Sequence, residues 1–197
     1  MYKFILALCC AFSVFAAEPM TDAEKKSLLE HLDRTSANFA KSIEGASEAQ
    51  WTFKSAPDRW SLAECSEHII AAESFIRDAF AGSMKAPASA EMLANARRET
   101  MLEKAVLDRS KAFQAPEPIR PSGQKFRTAA EAIAAFREQR QKTIELVQNG
   151  GDLRSFAMEH PFGGPLDVYG WVTFLSAHTG RHTLQIEEVK AHANYPK

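Results

Sequence analysis

Three short segments constrain the fold of this chain more than any other feature of its sequence. TDAE at residues 21–24, SLAE at 61–64 and TAAE at 128–131 each place a Ser or Thr three residues before a Glu. In such a capping box the hydroxyl and the carboxylate satisfy two backbone amides that the start of a helix leaves free. Apolar residues at helical spacing follow each box. The sequence therefore predicts three helices that begin at these positions.

A fourth long helix is predicted from about Asp167 to the end of the apolar pattern near the C-terminus. The first helix should end before Gly45 and the third at Gly150. A further, heavily charged helix is expected from about Glu91 to Phe113, followed by the proline-rich connector APEPIRPSGQKF. No strand alternation of any length is visible. The predicted fold class is all-α: a bundle of four main helices with one accessory helix and long crossover loops.

The N-terminal stretch MYKFILALCCAFSVFAAEPM has the layout of a secretory signal peptide. One basic residue, Lys3, precedes an uncharged apolar run that is too short to span a bilayer comfortably, and Ala16 and Ala17 supply small residues at a cleavage point. An uncleaved anchor is the alternative, and a lipoprotein at Cys9 or Cys10 is disfavoured because Leu8 and Cys9 directly precede them where a small residue is needed. We predict a signal peptide over residues 1–17, a domain over 18–197 without a stable membrane span, and a periplasmic or extracellular location.

Charge and cysteine content exclude several classes of function. The chain has 24 Lys and Arg against 25 Asp and Glu, and it contains no basic block or zinc-finger spacing, so nucleic-acid binding is not expected. Two of the three cysteines fall in the predicted signal peptide. Cys65 alone remains and cannot form an internal disulfide.

Histidines on two predicted helices suggest a metal site. His178 and His182 are four residues apart, so their imidazoles project from one stripe of the last helix, which is otherwise apolar. His68 lies on the apolar face of the second helix. If the two helices pack side by side, three neutral imidazoles can converge on one cation and leave a position open for water or substrate. Nitrogen ligands favour zinc or nickel, with iron and manganese as further candidates.

The segments WSLAECSEHIIAAE and HPFGGPLDVYGWVTFLSAHTGRHTLQIEEVK, separated by a long gap, resemble the DinB-like (YfiT-like) superfamily of metalloenzymes. Members carry one histidine after a Trp-Ser helix start and an H-x-x-x-H pair on the final long helix, and these positions fall on His68, His178 and His182. The resemblance covers residues 28–191. It implies a four-helix bundle with a divalent metal between helices, a small-molecule substrate of unknown identity and, in some members, a homodimer. Relatives include thiol-dependent transferases and hydrolases, and an exported location argues against cytosolic thiol cosubstrates.

Three residues near the predicted centre have roles that the sequence leaves open. Cys65 could approach the metal or be a buried apolar residue, and His160 could reach the mouth of the cleft or be a solvated loop residue. Gln185 could hydrogen-bond a ligand histidine or have a plain surface or interhelix role. Glu64 is expected to serve its capping box. No catalytic residue is assigned, because Thr179 occupies the position after His178 where an H-E-x-x-H motif would have its general base.

Three functions are compatible with these features. The first is an exported metal-dependent hydrolase or transferase. The second is a non-catalytic module that binds a metal or a small ligand, and the third is a bundle whose histidines are merely packed.

Overall fold

A computed structural model describes residues 18–96, 102–161 and 163–197. Its helices and strands follow the chain in this order: α1 Asp22–Ile43, α2 Glu48–Thr52, α3 Leu62–Ser83, α4 Ala90–Asn95, α5 Leu102–Leu107, α6 Ala129–Asn149, β1 Ala157–His160, β2 Gly164–Asp167 and α7 Val168–Lys190. Short 3₁₀ turns cover Glu117–Ile119 and Leu153–Ser155. The predicted signal peptide lies outside the described residues, so its boundary with the domain stays a prediction.

The capping boxes start α1 and α3 as predicted. At 21–24 and 61–64 the hydroxyl accepts a hydrogen bond from the backbone of the Glu, and the carboxylate accepts one from the backbone of the Ser or Thr. The third start, at α6, differs. Thr128 Oγ1 accepts from Glu131 N at 3.2 Å, but Glu131 Oε2 accepts from Arg127 N at 2.8 Å. The carboxylate thus fixes the residue before the cap and not the cap itself.

The four long helices form the predicted bundle, in which α6 and α7 each pack against both α1 and α3. Lys25 near the start of α1 donates to Gln148 O near the end of α6, so these two helices are antiparallel. Lys190 at the end of α7 donates to Ser42 O at the end of α1, so α1 and α7 are parallel. α1 and α3 therefore lie diagonally opposite each other in the bundle. The chain needs a long connection to pass from one to the other, as the sequence indicated.

The core has two apolar halves with a buried polar layer between them. One half surrounds Phe80 and Trp171, and the other surrounds Phe39 and Phe136. The layer contains Glu73 and Arg140, which form an ion pair at 2.9 Å with side chains no more than 2% exposed, together with buried hydroxyl residues: Thr35, Thr143, Ser176 and Thr179.

The accessory helix differs from the single helix predicted from Glu91 to Phe113. The structure has α4 and α5 as separate short helices, and residues 108–113, the end of the predicted helix, are not helical. Asp108 Oδ1 accepts from Ser110 N at 2.9 Å, which takes away an amide that would have continued α5. Arg181 on α7 meanwhile binds the carbonyls of Val106, Asp108 and Lys111. A tertiary contact therefore overrides the local helical pattern.

A β-hairpin precedes α7, and the expectation of no strands was wrong at this point. β1 and β2 pair antiparallel, with Met158 opposite Leu166. Gly163 and Gly164 have φ values of 131° and 81°, which favour glycine in the turn. Each strand has only four residues, too short for a clear alternating pattern. The sequence also missed α2, although Ser47 and Gln50 form a complete capping box.

Gly180 explains how α5 approaches α7. A Cβ at this position would lie 3.1 Å from Leu107 Cδ2, so a side chain here would require Leu107 to shift. None of the described helices is long and apolar enough to cross a membrane.

Candidate metal centre

The first histidine of the centre, His68, lies in the buried face of α3, two turns after the Ser61 cap. His68 is only 3% exposed. Its Nδ1 lies 2.8 Å from Ile119 O, in the connector between α5 and α6. Because a carbonyl oxygen can only accept, Nδ1 carries the proton and Nε2 presents a lone pair. A backbone carbonyl from a distant loop thus sets the tautomer of this ring.

The other two histidines come from α7, whose start is capped by Asp167, which accepts from Gly170 N at 2.7 Å. His68 Nε2 and His178 Nε2 are 3.2 Å apart. The ring centroid of His182 lies 4.5 Å from the centroid of each of the other two rings. One nitrogen from each ring can be chosen so that all three lie within 4.8 Å of one another. The structure therefore brings together the three residues that the sequence predicted.

A chain of side chains orients His182 from outside. His182 Nδ1 donates to Gln185 Oε1 at 2.8 Å, which leaves Nε2 with its lone pair towards the other rings. Gln185 Oε1 also accepts from Arg109 Nη1 at 3.3 Å. Glu188 accepts two hydrogen bonds from Arg109, at 2.7 and 2.8 Å. Of the two roles left open for Gln185, the structure shows the hydrogen bond to a ligand histidine.

The electrostatics keep all three rings neutral. Burial is the main cause that lowers the pKa of His68, of His182 and of His178, the last to about 3. Neighbouring rings lower the pKa of His178 and His182 further, because a second positive charge would repel the first. Neutral imidazole is the form that binds metal ions.

The donor set fits a divalent cation. Two nitrogens bound to tetrahedral zinc at ~2.0–2.1 Å lie about 3.3 Å apart, close to the 3.2 Å between His68 Nε2 and His178 Nε2. Two of the rings have their outer nitrogens held by oxygen acceptors, as is usual for metal-ligating histidines. Three protein ligands would leave a coordination position free.

The sequence profile of the DinB superfamily matches residues 31–186, which include all three histidines. The chain belongs to the DinB superfamily. Its structure is similar to that of YfiT from Bacillus subtilis, a probable metal-dependent hydrolase with an unusual four-helix bundle topology. The TM-score is 0.60 at 14% sequence identity, and the alignment covers 92% of this chain and 94% of YfiT. A search of curated proteins found no match. The family and the bundle fold inferred from the sequence are thus confirmed.

Two compartments of one cleft open onto the histidines of this DinB-superfamily chain. The first has a volume of about 560 Å³ and is bordered by five basic side chains: Arg59, Arg109, Lys111, Arg120 and Arg181. The second has a volume of about 390 Å³ and is mostly apolar, with walls that include Phe75, Ile76 and Trp171. His182 and Trp60 line both compartments, whereas His68 and His178 line the apolar one. The cationic and the apolar compartments therefore meet at the histidines.

Trp60 lies directly against the candidate centre. Its ring stacks on His182 with centroids 5.7 Å apart and lies 4.8 Å from the His68 ring. It belongs to the Trp-Ser helix start, so its neighbour Ser61 caps α3. The same dipeptide thus begins the ligand helix and covers two of the ligand rings.

Of the residues left open by the sequence, Cys65 is not part of the centre. It is fully buried in the second apolar half of the core, and burial raises the pKa of its thiol. His160 lies at the end of β1, lines the apolar compartment, and packs against Trp171 and Phe174 with centroids 4.8 and 4.7 Å away. Glu64 serves the capping box, as expected, and accepts from Lys54 at 2.9 Å.

Sequence reasoning missed the residues that support the centre from loops. Glu67, next to His68, accepts hydrogen bonds from Ser122 and from Gly123 N, and so holds the connector against α3. Those amides and the Ser122 hydroxyl outweigh the effect of partial burial and lower the pKa of Glu67. No local signal links Glu67 to a loop 55 residues later. A contact of this length arises only when the chain folds.

Proposed function

We propose that this protein is an exported, metal-dependent hydrolase whose divalent cation is held by His68, His178 and His182. The observation that carries the proposal is the convergence of three neutral imidazoles within 4.8 Å, from two helices, at the floor of a cleft. The likeness to YfiT supports hydrolysis over the other reactions of the superfamily. A bound cation would supply Lewis acidity towards a substrate carbonyl or phosphoryl oxygen.

The protein's own residues would bind and orient the substrate. Trp60 covers His68 and His182 and so limits the approach of water from that side. The apolar compartment would take up the substrate on the side of His178. Two other titratable residues, Glu159 and His160, line this compartment at the end of β1. We assign to Glu159, an exposed carboxylate at the cleft wall, the transfer of a proton between water and the leaving group.

Metal analysis of the full-length protein, purified without a histidine tag, tests the centre. We expect about one equivalent of zinc or nickel after loading and dialysis, and none in the variant H68A/H178A/H182A. The matched control is His192→Ala, which removes a histidine outside the centre. Equal metal content in the triple variant and the wild type would refute the ligand assignment.

Turnover separates an enzyme from a non-catalytic binding module. The loaded protein should hydrolyse members of an ester and amide panel, and Glu159→Gln should lower kcat by about 10²–10⁴-fold with the metal content unchanged. One observation favours the binding module: among the described residues no carboxylate lies close enough to the three ring nitrogens to join their group, so none is in place there as a general base. Metal binding without turnover of any ester, amide or thiol substrate would support that alternative.

Export depends on residues 1–17, and we propose that they are a cleaved signal peptide. Fused to a reporter that is active only outside the cytoplasm, they should give reporter activity, and N-terminal sequencing of the exported full-length protein should begin at Ala17 or Glu18. Leu6→Arg places a charge in the apolar run and should abolish export. Reporter activity that persists in this variant would contradict the proposal.

A further inference from the structure

The cationic compartment has more positive charge than its surroundings neutralise. Five basic side chains border it, against one acidic lining residue, Asp58. Arg109 and Arg120 each form an ion pair, with Glu188 and Glu117 respectively. The other three basic residues form no ion pair with any acidic side chain of the described chain. A compartment of this kind attracts anions.

Arg181 is the most informative of these three. It is 8% exposed, and its guanidinium donates to the backbone carbonyls of Val106, Asp108 and Lys111. Those carbonyls satisfy its hydrogen bonds and fix it at the border of both compartments, but they do not cancel its charge. Asp108 and Glu188 act on this charge from a distance, but neither forms an ion pair with it, and a buried charge without a paired opposite charge is costly unless something else compensates it. A bound anion would do so.

The apolar compartment has the opposite character. Phe75 and Phe113 line it, although they are 47% and 59% exposed, and they are two of the three large exposed apolar residues of the described chain. Both leave apolar surface in contact with water that a ligand could cover. The two compartment volumes, about 390 and about 560 Å³, are typical of small-molecule sites.

We propose that the substrate is a small organic anion that carries an apolar group and has a hydrolysable amide or ester bond between the two. This rests on the proposed function. The apolar group occupies the compartment lined by Phe75, the anionic group lies among the basic side chains, and the bond lies beside His182, which borders both. In hydrolysis, water gives its oxygen to the acyl product as the C–N or C–O bond breaks, and a proton goes to the leaving amine or alcohol.

Calorimetric binding to the full-length protein, metal-free and zinc-loaded, tests this with matched probes. The probes are N-octanoylglycine, its neutral amide N-octanoylglycinamide, and N-acetylglycine, which has the charge but no apolar chain. We expect N-octanoylglycine to bind at least about tenfold more tightly than either partial probe, since each lacks one of the two interactions. N-octanoyl aminomethylphosphonate, in place of the glycine probe, shows whether a carboxylate or a phosphonate is the preferred anion.

Two variants test whether the cationic compartment binds the anionic group and the apolar compartment binds the octanoyl chain. R59A/K111A removes two exposed basic side chains of the cationic compartment. It should lower the affinity for N-octanoylglycine about three- to tenfold and leave the affinity for N-octanoylglycinamide unchanged. Its control, K41A/R137A, removes the same charge from exposed positions elsewhere on the bundle. Ala79→Trp fills the apolar compartment from an exposed position of α3. It should lower the affinity for N-octanoylglycine to that for N-acetylglycine. Ala134→Trp, on an exposed position of α6, is its control and should have no effect.

The outcomes separate this inference from the proposed function. Equal affinity for N-octanoylglycine and its neutral amide, absence of binding by all the octanoyl probes, or equal losses for both probes in R59A/K111A would overturn the inference, even if the protein retains its metal. A preference for the anion that persists in H68A/H178A/H182A, in a protein that binds no metal, would leave the anion site standing. It would overturn the metal-dependent hydrolase.

Discussion

The bundle interior holds two buried polar clusters, and they are built on opposite principles. In the first, Arg140 donates to Glu73 and Thr179, and Thr143 donates to Glu73, so that charges and hydroxyls are paired with one another. Only Arg140 Nε is without a partner among these side-chain atoms. In the second, around His68 and His182, two rings direct lone pairs inwards. Both clusters include residues of α3 and α7.

The difference separates a cluster that completes the fold from one whose donor atoms are arranged to bind a ligand. The Glu73–Arg140 network stabilises one packing of the helices, because its buried groups, Arg140 Nε excepted, have their partners inside the protein. In the other cluster the lone pairs of His68 and His182 point inwards. His178 Nε2 can donate to His68 Nε2 at 3.2 Å in the metal-free protein, but a cation from outside would bind all three rings at once. His178 and Thr179 are neighbours in the sequence but belong to different clusters, so α7 contributes to both at adjacent positions.

The largest expected effect is on stability. Glu73→Ala leaves the Arg140 charge buried without its partner, and it should lower the free energy of unfolding by about 3–5 kcal/mol in guanidinium denaturation. The double variant E73M/R140M leaves no unpaired charge and should be closer to the wild type. If Glu73→Ala weakened metal binding in the folded fraction as strongly as it weakened the fold, the two clusters would not be separate.

Removal of a ligand should show the reverse pattern. His178→Ala should reduce zinc affinity by more than about 100-fold, since a ligand should matter more than the groups that orient it. The metal-free protein should lose only about 1–2 kcal/mol of stability, less than Glu73→Ala loses. Competition with a fluorescent chelator measures the affinity, and His192→Ala is the control. If the free energy of unfolding fell by more than the free energy of zinc binding, His178 would act mainly in stabilising the fold.

A smaller effect is expected at Gln185. Gln185→Met removes the acceptor that holds the His182 Nδ1 proton, and zinc affinity should fall by about 10–100-fold. Gln185→Glu retains an oxygen at that position and should retain the affinity. Equal losses in both variants would show that packing, and not the hydrogen bond, matters at this position.

The smallest expected effect is on the pH dependence of stability. The pKa of His178 is about 3 in the folded protein and about 6.5 in an unfolded chain, so unfolding takes up a proton below pH 6.5. The stability of the metal-free protein should therefore fall as the pH decreases from 6.5 to 5.5, by about 1 kcal/mol more than that of His178→Ala. Denaturation curves at the two pH values measure the difference. Parallel losses in both proteins would show that His178 is already charged in the folded state.

The residues of the candidate centre could be predicted because their signal is local. The spacing of His178 and His182 places both on one helix face, and His68 lies on the apolar face of a second predicted helix. The resemblance to a known superfamily then matched all three positions. The long helices were equally accessible, since capping residues and apolar spacing are properties of short segments. The metal itself is a prediction from these residues.

The parts that could not be predicted depend on distant contacts. The end of α5 is decided by Arg181, which is more than 70 residues away from the carbonyls it binds at Val106 and Asp108. The hairpin before α7 consists of strands too short to show a period. The cationic compartment gathers basic residues from three separate segments, and no single stretch of the sequence is basic.

The position of Ile119 has a consequence for how the molecule is assembled. His68 is 51 residues from the carbonyl that fixes its proton and 110 residues from the ring it faces. The centre is therefore complete only when the connector and the last helix have both docked on α3. A cation captured at that stage would cross-link the second quarter of the chain to its final helix, and its uptake would mark molecules that have finished folding.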